Sequence, residues 1–361
     1  MSEERFSFDK LKEIAEQGDA DAQFNLGNCY YEGNGVEQNV CEALKWFHMA
    51  AKQGHPAAQC NLGFSYAAGE GVERNMEEAA KWFCLAAEQG IPDAQFNFGH
   101  CYGNGEGVEQ NFQEAAKWYR MAAEQGHPAA QYCLANFCHN GNGVEKDEQE
   151  AVKWWTLAAK QGYPPAQYSL AECYARGLGV EQNFGEAVKL WIMAAKQGMA
   201  EAQFTLGNCF YHGKGVEQDF QNAAKLYHMA AVQGHDGAQC NLGNSYATGE
   251  GVEQDMQKAA KWFRMAAEQG NSAAQLTLGS LYHNGTGVEQ NLEEAVKWYR
   301  MAAKQGVPKA QFLLAQCYLR GEGVERSNAL ASQYLMEAAA LGDPGARRFL
   351  DSIMHGRNNG N

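Results

Sequence analysis

The sequence predicts an all-α fold, a right-handed α/α superhelical solenoid of helix-turn-helix repeats. Three observations carry the prediction. Nine consecutive segments share one pattern at a spacing of 36 residues with no insertion or deletion, each opening on an Ala-Gln pair from Ala22-Gln23 to Ala310-Gln311. Within each segment the apolar residues recur at helical spacing. Glycines fall where each helix would have to stop. A strict period of this length marks units that bury their apolar faces only against their neighbours.

The elements follow in order. Residues 1–21 read as a capping half-repeat built on a lone second helix from Phe8 to Gly18, and residues 22–345 as nine repeats. In the repeat that starts at Ala58, Leu62 and Tyr66 lie four apart on one face of a first helix ending at Gly69. Gly63 on that helix recurs only as Gly or Ala, which predicts that another helix crosses close to its backbone. The turn Gly69-Glu70-Gly71-Val72 follows, and Val72, a valine in all nine repeats, is expected to plug the end of the helix pair.

Asn75 then caps the second helix, with Glu78 three residues on to complete a capping box. Ala79, Trp82, Phe83, Ala86 and Ala87 form the second helix's apolar face, the Trp-aromatic pair supplying most of the buried area. Lys81 and its counterparts fall on a solvated face. Residues 346–361 read as a capping first helix with a polar tail.

Composition narrows the function. A formal charge of −14 and a pI near 5.2 argue against a nucleic-acid partner, because phosphate neutralisation needs clustered Lys and Arg. No apolar run reaches the roughly 20 residues that a bilayer span requires, so membrane insertion is not expected. Residues 1–10 are polar and charged, without the apolar stretch of a secretory signal. Cys29, Cys101, Cys173, Cys209 and Cys317 share one register beside an aromatic residue and read as small buried hydrophobes. A cytoplasmic, reducing location is the expectation.

The pattern Ala-x-x-x-Leu-Gly-x-x-Tyr, Gly-x-Gly-Val, Ala, Trp-aromatic, Ala-Ala, Gly resembles the Sel1-like repeat, a relative of the tetratricopeptide repeat with a longer internal turn. The resemblance covers nearly the whole chain. It implies an adaptor or scaffold that holds partners together, in a family with many bacterial members. It also implies one alternative, a weak β-lactam-binding hydrolase like the secreted cysteine-rich members; a structural spacer that self-associates is a third reading. Those secreted members pair cysteines where this chain has Ala51 and Gln59, so their disulfide ladder is missing.

No catalytic, cofactor or metal constellation emerges. Ser7-Phe8-Asp9-Lys10 has the Ser-x-x-Lys spacing of Ser-nucleophile β-lactamases but no companion motif, and Ser7 reads as a helix cap. The Gly-x-Gly turns lack the third glycine and preceding strand of a phosphate cradle. Cys133, Cys138 and His139 have no second ligand pair to make a zinc site and read as core residues.

Positions that vary between repeats point to a binding surface. On the first helices they form one stripe at helical spacing, expected to line a concave groove for an extended peptide or partner protein. Its candidate contacts are Asn25, Asn28, Tyr31, Asn61, Phe64, Asn97, His100, Asn136, Glu172, Arg176, Asn208, His212, Asn241 and Asn244. An Asn amide can pair with both the C=O and the N–H of an extended strand. The aromatic and His side chains would supply pockets, and Glu172 with Arg176 a charged checkpoint. The same asparagines also fit a second reading, polar residues tolerated on a wet helix face.

Overall fold

A computed structural model describes the backbone of residues 2–358 and the side chains of residues 8–352. Among the described residues there are twenty helices and no strand, so the chain is all α. It divides into two compact units, Met1–Asn183 and Phe184–Asn361.

The first unit holds α1 (Ser2–Glu16), α2 (Ala20–Glu32), α3 (Val40–Lys52), α4 (Pro56–Ala68), α5 (Met76–Glu88), α6 (Pro92–Asn104), α7 (Phe112–Glu124), α8 (Pro128–Asn140), α9 (Glu148–Lys160) and α10 (Pro164–Arg176). The second holds α11 (Phe184–Lys196), α12 (Ala200–His212), α13 (Phe220–Val232), α14 (Asp236–Thr248), α15 (Met256–Glu268), α16 (Ser272–Asn284), α17 (Leu292–Lys304), α18 (Pro308–Arg320), α19 (Asn328–Ala340) and α20 (Pro344–Asn358). Even-numbered helices from α2 onward are the first helices of repeats. Within each unit every helix packs on the one before and the one after.

The punctuation behaves as the sequence requires. Gly69 closes α4 in the left-handed region (φ +75°), its N–H donating to Ser65 O. Asn75 Oδ1 accepts from the N–H groups of Glu77 and Glu78 and so caps α5. The expected capping box is only half formed, however. The Asn75 N–H donates to Tyr66 O at 2.9 Å, across the turn, so Glu78 has no donor to reach back to. Glu78 instead meets Lys81 at 2.6 Å on the solvated face.

Inside a repeat the close crossing is aromatic on glycine. A Cβ on Gly63 would stand 2.5 Å from the Phe83 ring, and one on Gly279 2.7 Å from the Tyr299 ring. The second member of the pair is buried in every repeat, Phe83 at 1% exposed and Trp155 at 3%, whereas the first is buried only at Trp118 and Trp298. Trp82 and Trp154, expected in the core, are only half-buried. Trp82 packs against the Leu44 and Phe47 cluster of the preceding repeat, at the seam between repeats.

Between repeats the turn seats on the preceding second helix. Val72 packs against the cluster of Leu44 and Phe47, which belongs to the previous repeat's second helix, so it closes the neighbour as well as its own pair. In the next turn a Cβ on Gly107 would stand 2.0 Å from Met76 O, which only glycine permits.

A ladder of buried glutamines adds a polar seam. Gln59 Nε2 donates to Ala51 O at 3.2 Å, and Gln89 Nε2 donates to Gln59 Oε1 at 2.7 Å. The same two bonds recur at Gln95 with Gln125, and at Gln131 with Gln161. In the second unit they recur at Gln203 with Gln233, Gln239 with Gln269, and Gln275 with Gln305. Each amide is thus satisfied on both sides, which is what permits its burial.

The chain ends show where this pattern stops. α1 starts earlier than the expected Phe8, so residue 7 lies inside it rather than at its cap; the Ser7 side chain falls outside the described residues. Ala15 with Leu26 and half-buried Phe8, Leu11 and Trp46 form the cluster that joins α1 to α2. At the other end Ala346 of α20 is buried against Phe312, Leu335 and Ala338.

Candidate partner-binding surface

The variable stripe divides into residues that the fold uses and residues that it leaves exposed. Asn136 Oδ1 accepts the indole N–H of Trp155 at 3.1 Å. Asn208 Oδ1 accepts the Tyr227 hydroxyl at 2.8 Å and the Asn241 amide at 3.0 Å. Asn97 Nδ2 turns back to Asp93 O on its own helix. These four asparagines are partly committed to structure. The Asn208–Asn241 bond also puts two neighbouring first helices side by side, so the stripe runs on from α12 to α14.

Among the described residues, the amides of Asn25, Asn28, Asn61 and Asn244 make no hydrogen bond within the chain. Asn25 and Asn244 are exposed, and Asn28 and Asn61 half-buried. A hydrated amide on a helix face can exchange its waters for a ligand's backbone groups at little cost.

Three predicted residues converge in the first unit. Tyr31, Asn61 and Phe64 line a cavity of about 210 Å³ with Phe47, Ser65 and Glu70. Phe64 is 44% exposed, its ring edge-on to buried Phe83 at 5.2 Å. The Tyr31 hydroxyl donates to Glu70 Oε2 at 3.0 Å, and that bond raises the Tyr31 pKa. One wall is aromatic and the other carries an amide and a carboxylate, a combination that takes an apolar side chain beside a polar backbone.

Other predicted residues stand apart from that cavity. Glu172 and Arg176 pair at 2.7 Å on α10. His100 meets Asn104 one turn on, at 3.1 Å, and His212 lies edge-on to Tyr211. Cys138 is buried as the core reading requires, whereas Cys133 is half-buried and His139, also half-buried, pairs with Glu148 at 2.6 Å. Cys101, Cys173 and Cys317 are buried as expected, whereas Cys29 is only half-buried.

Two features had no place in the sequence reading. Glu70 enters the cavity from the turn, brought there by a contact 39 residues long. The second helices also carry an exposed apolar residue in one register: Met49, Leu85, Met121 and Leu157 in the first unit, and Met193, Met229, Met265 and Met301 in the second. Their 36-residue spacing was the available signal. They form the other surface a partner could use.

Helix pairs stacked in register, with variable side chains on one helix of each pair, define an α/α solenoid repeat protein. The Sel1 repeat profile matches residues 20–55, 56–91, 92–127, 128–163, 164–199, 200–235, 237–271, 272–307 and 308–343, and the chain belongs to this family. It is similar to the crystal structure of c5321, a protective antigen present in uropathogenic Escherichia coli strains and displaying an SLR fold. That match has 34% identity and a TM-score of 0.73, and covers 92% of this chain and 79% of the other. It is also similar to a Sel1 repeat protein from Oxalobacter formigenes, with 37% identity, a TM-score of 0.66 and coverage of 85% and 89%. Comparison with curated proteins finds no match. Among the described residues no helix is long and apolar enough to cross a membrane.

Proposed function

We propose that the chain is a non-catalytic adaptor of the cytoplasm that binds an extended peptide segment of a partner protein on the face of its first helices. The cavity of Tyr31, Asn61, Phe64 and Glu70 carries this reading, because it sets an apolar recess beside an unbonded amide. In this account Asn25, Asn28 and Asn61 hold the peptide backbone, and the recess takes one apolar or aromatic side chain. Residues 1–21 and 346–361 serve as caps on the repeat stack. In place of the disulfide ladder of the secreted relatives, Gln59 bonds to the Ala51 carbonyl, which suits a reducing compartment.

Selection from a library of random linear peptides tests the proposal, with fluorescence anisotropy of the recovered sequences. Phe64→Ala is expected to weaken binding by about tenfold or more, as for a central aromatic contact. No β-lactam should be turned over. Peptides displaced by changes at Met49, Leu85 and Met121 but not at Phe64 would place the partner on the second helices and refute the reading.

A further inference from the structure

The junctions between successive repeats bring together three side chains: one at the end of a first helix, one 34 residues later, and one 39 residues later in the turn. At two junctions the trio is Tyr31, Ser65 and Glu70, or Tyr211, Ser245 and Glu250, and the Tyr hydroxyl donates to the Glu at 3.0 and 2.8 Å. At the junction of α16 with α18 the same positions hold His283, Cys317 and Glu322. The Glu is kept, and with His and Cys in place of Tyr and Ser all three are metal-ligating types.

Their donor atoms lie within 4.8 Å of one another. His283 Nε2 and Glu322 Oε2 stand 3.2 Å apart. A tetrahedral ion with bonds of about 2.0–2.3 Å has ligand–ligand edges of roughly 3.3–3.8 Å, so shifts of about an ångström complete the geometry. The flanking contacts orient the ligands. Asn284 Oδ1 lies 3.2 Å from His283 Nδ1, which leaves Nε2 as the ligating nitrogen. Arg320 Nη1 approaches Glu322 Oε1 at 3.7 Å, on the carboxylate oxygen away from His283. Cys317 is buried while His283 and Glu322 are about a third exposed, so the trio is anchored yet open to solvent.

We propose that His283, Cys317 and Glu322 bind one zinc ion. A thiolate, an imidazole and one carboxylate are a soft, mixed set that disfavours Mg²⁺ and Ca²⁺. On binding, the Cys317 S–H bond and the bond of the proton shared by His283 Nε2 and Glu322 break, S–Zn, N–Zn and O–Zn bonds form, and both protons pass to the buffer. Three protein ligands leave a fourth position for water. The ion would tie α16 to α18 and the turn after it, so thermal stability should rise with free zinc.

The test uses the full chain, freed of metal by chelation and then titrated with Zn²⁺ and, separately, with Co²⁺. One zinc per chain is expected, with a thiolate-to-cobalt charge-transfer band in the near ultraviolet. The double variant His283→Tyr, Cys317→Ser reproduces the trio that the chain uses at two other junctions, so it should keep the helical circular dichroism. It should lose the bound zinc and the band, and Glu322→Gln should weaken zinc binding at least tenfold. Zinc retained by the double variant, a missing charge-transfer band, or no zinc bound by the unaltered chain would each overturn the assignment.

Discussion

Gln131→Leu and Gln311→Leu alter the same position of two repeats, yet the structure predicts different costs. Gln131 is 4% exposed; its Nε2 donates to Ala123 O at 3.1 Å and its Oε1 accepts from Gln161 Nε2 at 2.9 Å. Neither partner would be stranded by the change. Ala123 O also accepts the Gly126 N–H at 3.0 Å, and Gln161 Nε2 also reaches Gly126 O at 2.9 Å. The loss is therefore two bonds without orphans, about 1–3 kcal/mol at 0.5–1.5 kcal/mol each.

Gln311 is 5% exposed, but the residue 30 positions on is Leu341, so its buried Oε1 has no partner. Its Nε2 makes one longer bond, to Glu337 Oε2 at 3.3 Å. Removing this amide relieves an unsatisfied acceptor, worth about 1–3 kcal/mol, and gives up one bond, so the net change should lie near zero or favour folding. Leu341→Gln should restore the missing donor and stabilise by about 0.5–1.5 kcal/mol, but only while Gln311 is present. Urea midpoints followed by circular dichroism, compared at unchanged m, measure all three. Equal costs for the two Gln→Leu changes would refute the ladder as a source of stability.

Three further outcomes are expected. Gly270→Ala, at φ +98° with nothing within 4 Å of the new Cβ, should cost about 1–2 kcal/mol for its left-handed backbone alone. Gly287→Ala, at φ +71° with Met256 O only 2.2 Å from the new Cβ, should cost roughly 1–3 kcal/mol more in the same urea assay. Trp155→Ala should cost about 3–5 kcal/mol, and Trp154→Ala, on a half-buried ring, less than half as much. In native alkylation at pH 8 read by mass spectrometry, exposed Cys41 should react first. Cys60 and Cys173, whose thiols burial pushes up to about 12, should react only after unfolding, because the thiolate is the nucleophile.

What could be read from the sequence was local. The left-handed Gly69 and the cap at Asn75 each depend on residues within one turn of chain, and each stands as expected. The readings that changed depend on register between segments. Glu78 does not close a capping box because Tyr66 O, nine residues before the cap, already holds the Asn75 N–H. Phe83 rather than Trp82 closes on Gly63, because adjacent residues of a helix do not share a face. For the surface, helical spacing was enough to gather Asn61 and Phe64. It could not show that Asn208 is spent on Tyr227 and Asn241, or that Glu70 reaches Tyr31.

Whether partners bind through the first helices is tested most directly by two triple variants of the first unit, each measured by anisotropy against a selected peptide. Asn25→Ala, Asn28→Ala and Asn61→Ala together remove three amides with no internal partner. They should weaken binding by about 2–4 kcal/mol without loss of helix, since Ala is the better helix former. Lys81→Ala, Lys117→Ala and Lys153→Ala remove exposed charges from the second helices and should leave affinity within about twofold. Binding abolished by the lysine set and untouched by the asparagine set would contradict the account and put the partner on the opposite face.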